Sequence, residues 1–320
     1  MGYLPINANA TTNTKRLLQY IYSLKGTNIL SGHHNWINDP TGSAWTVYKE
    51  LSKYPAINGM EIGVFEPTFT QYQIKQYRQG LVAAAQKVHN SGGIVTIMMH
   101  HSYPGAERSW PNVQRKTTQE EFNEIITPGT EMYNKWMADI DEVAVYLKQI
   151  QDLDIPVLWR PYHEMNGQWF WWGVKENYTQ LWDNLYDRLT NYHGINNLLW
   201  VWNCNAPNGY TDPATKVKVF EYDNPGIWVT PNRADIFAID VYNNDFQQKY
   251  HDNLQSISGG KPIALGEVGR MPSRQVLSTQ PEWSWFMVWP NYWNDTPENE
   301  RLNIYSDPKV ITRDEVQLPN

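Results

Sequence analysis

The feature that most constrains this chain is its alternation of short apolar runs with longer segments of helical period. Residues 71–91 carry Ile74, Tyr77, Leu81, Ala84, Ala85 and Val88 at three- and four-residue steps, and Gly92 and Gly93 follow. That pattern predicts an amphipathic helix with a glycine stop. Residues 132–152 repeat it with Met137, Ile140, Val143, Ala144 and Leu147, and residues 176–193 with Leu181, Trp182, Leu185, Leu189 and Tyr192. Between the helical segments lie eight runs that read as buried parallel strands: Asn28–Ser31, Ala56–Glu61, Ile94–Met99, Pro156–Arg160, Leu198–Trp202, Asp235–Val241, Pro262–Leu265 and Trp285–Val288. Eight such units predict an α/β fold, a single (β/α)8 TIM barrel spanning residues 1–320. An additional N-terminal helix, roughly Thr14–Leu24, would cap the barrel bottom. The fifth and eighth units are the weak ones, with poor helical period. An open doubly wound sheet is the alternative, but no glycine-rich phosphate loop follows any strand.

In such a barrel, chemistry gathers where the strands end. Strand one runs into Gly32-His33-His34-Asn35-Trp36, strand two into Glu61 and Glu66, and strand three into His100-His101-Ser102-Tyr103. Strand four leads to Arg160-Pro161-Tyr162-His163-Glu164-Met165-Asn166-Gly167, and strand five to Asn203-Cys204-Asn205. Strands six to eight deliver Asp240-Val241-Tyr242-Asn243, Gly266-Glu267-Val268-Gly269 and Trp289-Pro290-Asn291. One rim is therefore expected to be polar and walled by aromatics.

Glu164 and Glu267 stand out, 103 residues apart and about three units from each other around the barrel. Retaining cleavage of a glycosidic bond needs two carboxyl groups about 5 Å apart, one to attack the sugar carbon and one to protonate the leaving oxygen. An ion-pairing role is the alternative for a strand-end glutamate. The neighbours favour chemistry: His163 and Asn166 supply hydrogen bonds, Tyr242 reaches from strand six, and Arg160 holds a nearby acid ionised. The run Gln168-Trp169-Phe170-Trp171-Trp172-Gly173 cannot all be core, because four adjacent aromatics face every way. Trp169 is expected to line the cleft, where the apolar faces of sugars pack on rings. Trp289, and Trp110, Trp36 or Tyr103, follow strand ends in the same manner.

Five histidines near strand ends raise the question of a metal. The pairs His33-His34 and His100-His101 are adjacent, so their members point to opposite faces, and no HxH, HExxH or Cys/His spacing occurs. Substrate binding by His100 or His101 is expected instead, with no metal and no cofactor. Cys204, the single cysteine, excludes a disulfide framework and reads as a small packed residue beside the cleft. Sequons at Asn9, Asn177 and Asn294 are expected by chance in so Asn- and Thr-rich a chain.

Composition agrees. The chain holds 16 Trp and 20 Tyr but only 18% charged residues, which suits a neutral polyhydroxyl ligand. Its 26 Lys and Arg against 33 Asp and Glu give no basic footprint for nucleic acid, and no run approaches the roughly 18 apolar residues of a membrane helix. The polar opening MGYLPINANATTN lacks the pattern of a signal peptide, so the chain reads as cytosolic or as the mature part of an exported protein.

The motifs RPYHEMNGQWFWWG at 160–173, DVYN at 240–243, ALGEVG at 264–269 and WFMVW at 285–289 resemble glycoside hydrolase family 26, best known for β-mannanases. Weaker agreement through PINANATTNTKRLL and ILSGHH extends the resemblance over nearly the whole chain. The resemblance implies a retaining endo-β-1,4-mannanase acting on mannan, galactomannan or glucomannan. It maps the acid/base onto Glu164 and the nucleophile onto Glu267. It also implies that His163 and Tyr242 hydrogen-bond the nucleophile, that Trp169 and Trp289 contact sugar, that His100 or His101 grips the glycone side, and that Arg160 is supporting. Trp110 joins the expected substrate-binding residues and Asp240 the supporting ones. Pro290, directly after Trp289, offers no polar side chain. The implied partner is β-mannan, met by a monomeric, secreted chain, since mannan lies outside most cells. The alternatives within this chemistry are a mannobiose-releasing exo-enzyme, a β-1,3-xylanase and a mixed-linkage glucanase. Outside it stand a non-catalytic glycan-binding barrel and a metal-dependent barrel hydrolase.

Overall fold

A computed structural model of the chain describes residues 3–36, 39–207, 218–222, 227–229 and 231–319. Eight parallel strands close into a barrel: β1 (Ile29–His34), β2 (Ile57–Glu61), β3 (Ile94–Met99), β4 (Val157–Pro161), β5 (Leu198–Asn205), β6 (Ile236–Val241), β7 (Ile263–Val268) and β8 (Trp283–Val288). Each pairs with the next, and β8 and β2 both pair with β1, so the sheet has no open edge within the ring. A short β9 (Val310–Ile311) pairs with Ile29 and Leu30 of β1, at the foot of the barrel. Helices flank the ring, the longest being Gln71–Asn90 and Glu131–Asp152. None of the described helices is long and apolar enough to cross a membrane.

The barrel interior changes character from bottom to top. At the bottom, Leu30, Ile57, Ile94, Leu158, Leu199, Ile236, Ala264 and Trp285 meet Leu17, Leu18, Ile21 and Leu24 of the helix Thr12–Leu24. This helix is the predicted N-terminal one. Thr11 caps it by accepting from the Thr14 amide. Its four buried aliphatic side chains each contribute about 1.5–3 kcal/mol by leaving water. Asp235 fastens the segment before it, accepting the Ile6 amide at 2.7 Å and the Trp200 amide at 2.8 Å.

Toward the top, the inward positions turn polar: His34, Glu61, His100, Arg160, Asn203 and Asp240 are all buried. Three strands run three residues farther than predicted, β1 to His34, β5 to Asn205 and β7 to Val268. Backbone pairing continues there although hydrophobicity has ended. The weak fifth unit has only the 3-10 turn Pro231–Arg233 between β5 and β6 among the described residues, whereas the eighth has the helix Glu298–Tyr305.

Candidate active site

Two backbone irregularities bring the glutamates to the same rim. On β7, Ala264 faces the barrel interior while Leu265 packs outside, so regular alternation would turn Glu267 outward. A register shift after Ile239 breaks the alternation: Ala238 pairs with Ala264, but Asp240 pairs with Glu267. The extra residue on β7 is Gly266, and a Cβ there would collide with Asn203 and Asp240. Such bulges re-aim side chains beside functional sites. At the end of β4 the device is different. Tyr162 and Glu164 both adopt left-handed conformations, with φ of 46° and 56°. This is strain that a local network holds in place: the Glu164 amide donates to the Asn203 carbonyl at 2.8 Å, and the Tyr178 hydroxyl donates to the Tyr162 carbonyl at 2.9 Å.

Glu267 sits among donors. Arg160 Nη2 donates to its Oε1 at 2.5 Å, and the Tyr242 hydroxyl donates to Oε2 at 2.5 Å. Burial pushes its carboxyl up, but the Arg160 charge, His34 and these two hydrogen bonds outweigh burial and bring it down to about 2. Among the described residues Glu164 has no cation in contact with it. Trp169 Nε1 donates to its Oε2 at 2.6 Å and Asn205 Nδ2 to its Oε1 at 2.7 Å. Burial and the Glu267 charge prevail over those donors and push it up to about 7. Near neutral pH one carboxyl is therefore ionised while the other carries a proton for much of the time. Burial likewise raises Asp240, which lies 3.5 Å from Arg160 Nη1.

The predicted residues fall into two groups. His100, His163, Trp169, Tyr242, Trp289, Arg160 and Asp240 stand around the two glutamates, and Trp110, 39% exposed, stands over His100 at a centroid distance of 5.3 Å. His163 is corrected in one respect: its Nε2 is 3.6 Å from Glu267 Oε1, beyond hydrogen-bond reach, and its Nδ1 has no partner among the described residues. Burial and the Arg160 charge hold this ring neutral. His101 is a fuller correction. It points to the outer side of the barrel, where its Nδ1 meets the Tyr162 hydroxyl at 2.9 Å and its Nε2 lies 3.3 Å from Asp139. Adjacent residues leaving a strand diverge, and His100 took the inner side. Tyr103 is turned away as well, buried with Arg115 stacked 3.9 Å over its ring. Within the aromatic run, Trp171 and Trp172 are core, bonded to the His101 and His163 carbonyls, and Phe170 faces His100. Only Trp169 reaches a glutamate. Its ring folds back over Gly167, where a Cβ would collide with it.

Sequence reasoning missed Glu61 as a partner of His100. Its Oε2 accepts from His100 Nδ1 at 2.6 Å, and its Oε1 accepts the amides of His100 at 3.0 Å and Gly63 at 2.6 Å. The carboxylate thereby fixes the ring and leaves Nε2 as the nitrogen it does not engage. Asn205 was visible at a strand end but carried no motif. His34 stacks on Trp289 at 4.2 Å, which makes the pair one aromatic wall.

His163, Asp240 and Glu267 place ligand atoms within 4.8 Å of one another, the one such metal-like group among the described residues. Arg160 already directs its guanidinium at both carboxyls, and Asp240 is pushed toward its neutral form, a poor ligand. The set is a pair of carboxyls gathered by an arginine.

Two buried carboxyls on one rim, one held ionised and the other able to carry a proton, are the pair that glycoside hydrolysis uses. The chain belongs to glycosyl hydrolase family 26, whose model matches residues 6–315. It is 31% identical to a mannan endo-1,4-beta-mannosidase of Thermothelomyces thermophilus, over 97% of this chain and 63% of that protein. It is also 25% identical to a mannan endo-1,4-beta-mannosidase of Bacillus subtilis, over 98% of this chain and 89% of that one. Against two Piromyces relatives the chain spans only 48% and 45% of their length. Among solved structures, GH26A from Muricauda sp. superposes with a TM-score of 0.90 at 40% identity, covering 97% of this chain and 99% of that one. The GH26-CBM35 β-(1,4)-mannanase of Podospora anserina gives a TM-score of 0.79 at 29% identity, over 98% and 68% of the two chains.

Proposed function

We propose that this chain cleaves internal β-1,4-mannosidic bonds with retention of configuration, with Glu267 as nucleophile and Glu164 as acid/base. The observation that carries the reading is the opposed environment of the two glutamates, one clamped by Arg160 and Tyr242 and the other desolvated without a cation. In the first step Glu267 forms a bond to the sugar C1 while the glycosidic C1–O bond breaks and Glu164 gives its proton to the departing oxygen. The ester so formed removes the charge that held the Glu164 pKa up, so Glu164 becomes the base. It takes a proton from water as the water oxygen attacks C1, and Glu267 leaves as a carboxylate. His100, Trp110, Trp169 and Trp289 contact the sugar rings, with His100 held by Glu61. No cofactor enters this chemistry. The names of the relatives support mannan as the substrate, and a chain that acts on such a polymer would work outside the cell.

The test is a product ladder on linear mannan, lichenan and β-1,3-xylan, with the anomer of the first product read by NMR. Manno-oligosaccharides of mixed length, released as the β-anomer, are expected. Glu267→Ala and Glu164→Ala are each expected to lower kcat by about 10⁴-fold without unfolding the chain. Near-normal cleavage of mannan by either variant would overturn the assignment.

A further inference from the structure

The loop that carries Glu164 holds a residue ill suited to its own backbone. Eight non-glycine residues have positive φ among the described residues; four are Asp or Asn, which visit that conformation readily, and Ser52 ends a helix. The other three, Tyr162, Glu164 and Val174, all belong to the loop after β4. Val174 closes that loop, its amide donating to the Met165 carbonyl at 2.7 Å, and Glu164 is there for its carboxyl. Tyr162, at φ of 46°, needs a reason of its own, because Gly or Asn would reach the same backbone with less crowding.

The reason lies in its side chain, which turns away from the cleft toward the helix Glu131–Asp152. Trp136 Nε1 on that helix donates to the Tyr162 hydroxyl at 2.7 Å. An indole N–H only donates, so the hydroxyl must give its own proton elsewhere. Its other partner among the described residues is His101 Nδ1, at 2.9 Å. Nδ1 is therefore the accepting nitrogen of a neutral ring, and the ring proton sits on Nε2, 3.3 Å from Asp139 Oδ2. The donors run one way, from Trp136 through Tyr162 and His101 to Asp139. Both ends stand on one helix three residues apart, which puts them on the same face. The register supplies the middle: Met99 of β3 pairs with Pro161 of β4, so His101 and Tyr162 leave their strands side by side. Trp171 and Trp172 meet the Tyr162 ring edge-on at 5.6 and 5.2 Å and hold it in this direction.

We propose that Tyr162 is a positioning residue for the acid/base: its anchored hydroxyl fixes the left-handed turn two residues before Glu164, and His101 is the second link of the anchor. Trp169 and Asn205 hold the carboxyl once it is in the cleft, whereas the turn decides that it points there. His101 thus serves the reaction from behind the barrel wall, not by touching sugar. The proposal rests on the assignment of Glu164 above and deepens it. A general acid must meet the leaving oxygen at hydrogen-bond distance, and a misplacement of about 1 Å costs up to about 10²-fold. A turn that keeps its backbone anchors should lose less, about tenfold.

The test uses Tyr162→Phe, which removes the hydroxyl and keeps the ring, and His101→Ala, which removes its acceptor. His101→Asn restores an acceptor oxygen in the place of Nδ1. For each variant kcat/KM is measured on mannohexaose and on dinitrophenyl β-mannobioside, whose leaving group departs without a proton. This ratio reports the first step, in which Glu164 acts only as acid. Tyr162→Phe and His101→Ala are expected to lose about tenfold on mannohexaose but no more than about twofold on the dinitrophenyl substrate, with His101→Asn near native on both. Circular dichroism confirms folding, and the His101 pair carries the test alone if Tyr162→Phe does not fold. Equal losses on the two substrates, no loss on either, or a His101→Asn as impaired as His101→Ala overturns the positioning role and leaves mannan cleavage intact. A native chain inert on both substrates overturns the functional reading itself, and this role with it.

Discussion

The ends of β4 and β7 face the same problem and solve it oppositely. Each must hold a buried carboxyl at the barrel rim, and each uses a break in regular backbone to aim it. At β7 the break is a bulge and the carboxyl meets Arg160 and Tyr242, so it loses its proton easily. At β4 the break is a pair of left-handed residues and the carboxyl meets only neutral donors, Trp169 and Asn205, so it keeps its proton to about 7. The contrast teaches that identical side chains take opposite proton states through one difference, a cation in contact with one of them. The Glu267 charge then reinforces the contrast by raising Glu164 further.

Weakening the β7 side should have the largest effect. Tyr242→Phe removes one of the two strong donors to Glu267 while keeping the ring against Tyr292. Loss of a preorganised donor at a reacting group costs about 10²-fold in kcat. Steady-state kinetics on mannan should show that loss in kcat more than in KM. A change confined to KM would mean that Tyr242 only shapes the cleft.

How much of this was legible beforehand depends on the kind of signal. The eight strands were readable because their lower halves are apolar on both faces. Their upper ends were not, since β1, β5 and β7 remain paired through His34, Asn205 and Val268 after the interior has turned polar. Glu164 and Glu267 were found from their places at strand ends and from the surrounding motifs. The bulge that makes Glu267 usable was invisible, and strict alternation from Leu265 would have pointed it outward. His101 was grouped with His100 because a strand end gives no sign of which neighbour turns inward. Glu61 escaped because its role exists only through a partner 39 residues later, brought beside it by β2–β3 pairing.

Stripping the β4 side should move pH dependence more than rate. Trp169→Phe and Asn205→Ala each remove a hydrogen bond that favours the ionised form of Glu164, so its pKa should rise. Glu164 must carry its proton in the first step, and kcat/KM therefore falls as pH rises through about 7 in the native chain. In both variants that basic limb should shift to higher pH, while the acid limb, set by Glu267, stays where it is. A pH–rate profile checks this, and a basic limb that stays put or moves down would show that these donors do not govern Glu164.

The smallest effect is on stability, and it isolates Glu164 from its partner. In the unfolded chain Glu164 titrates near its ordinary value of 4.5, and in the folded chain at about 7. The folded state thus holds a proton that the unfolded state has released, and the stability this represents is complete below 4.5 and lost as pH rises through about 7. Glu267 works the other way, with stability present above 4.5 and lost only as pH falls toward 2, so it is constant between pH 5 and 8. Glu164→Gln cannot ionise and escapes the loss. Its melting temperature should therefore decline less than that of the native chain between pH 5 and pH 8. Asp235, raised by burial to about 6, titrates in the same window but equally in both proteins, so it cancels in the comparison. Parallel declines in a thermal scan at the two pH values would mean that the β4 carboxyl is not held above its ordinary pKa, and the contrast between the two strand ends would collapse.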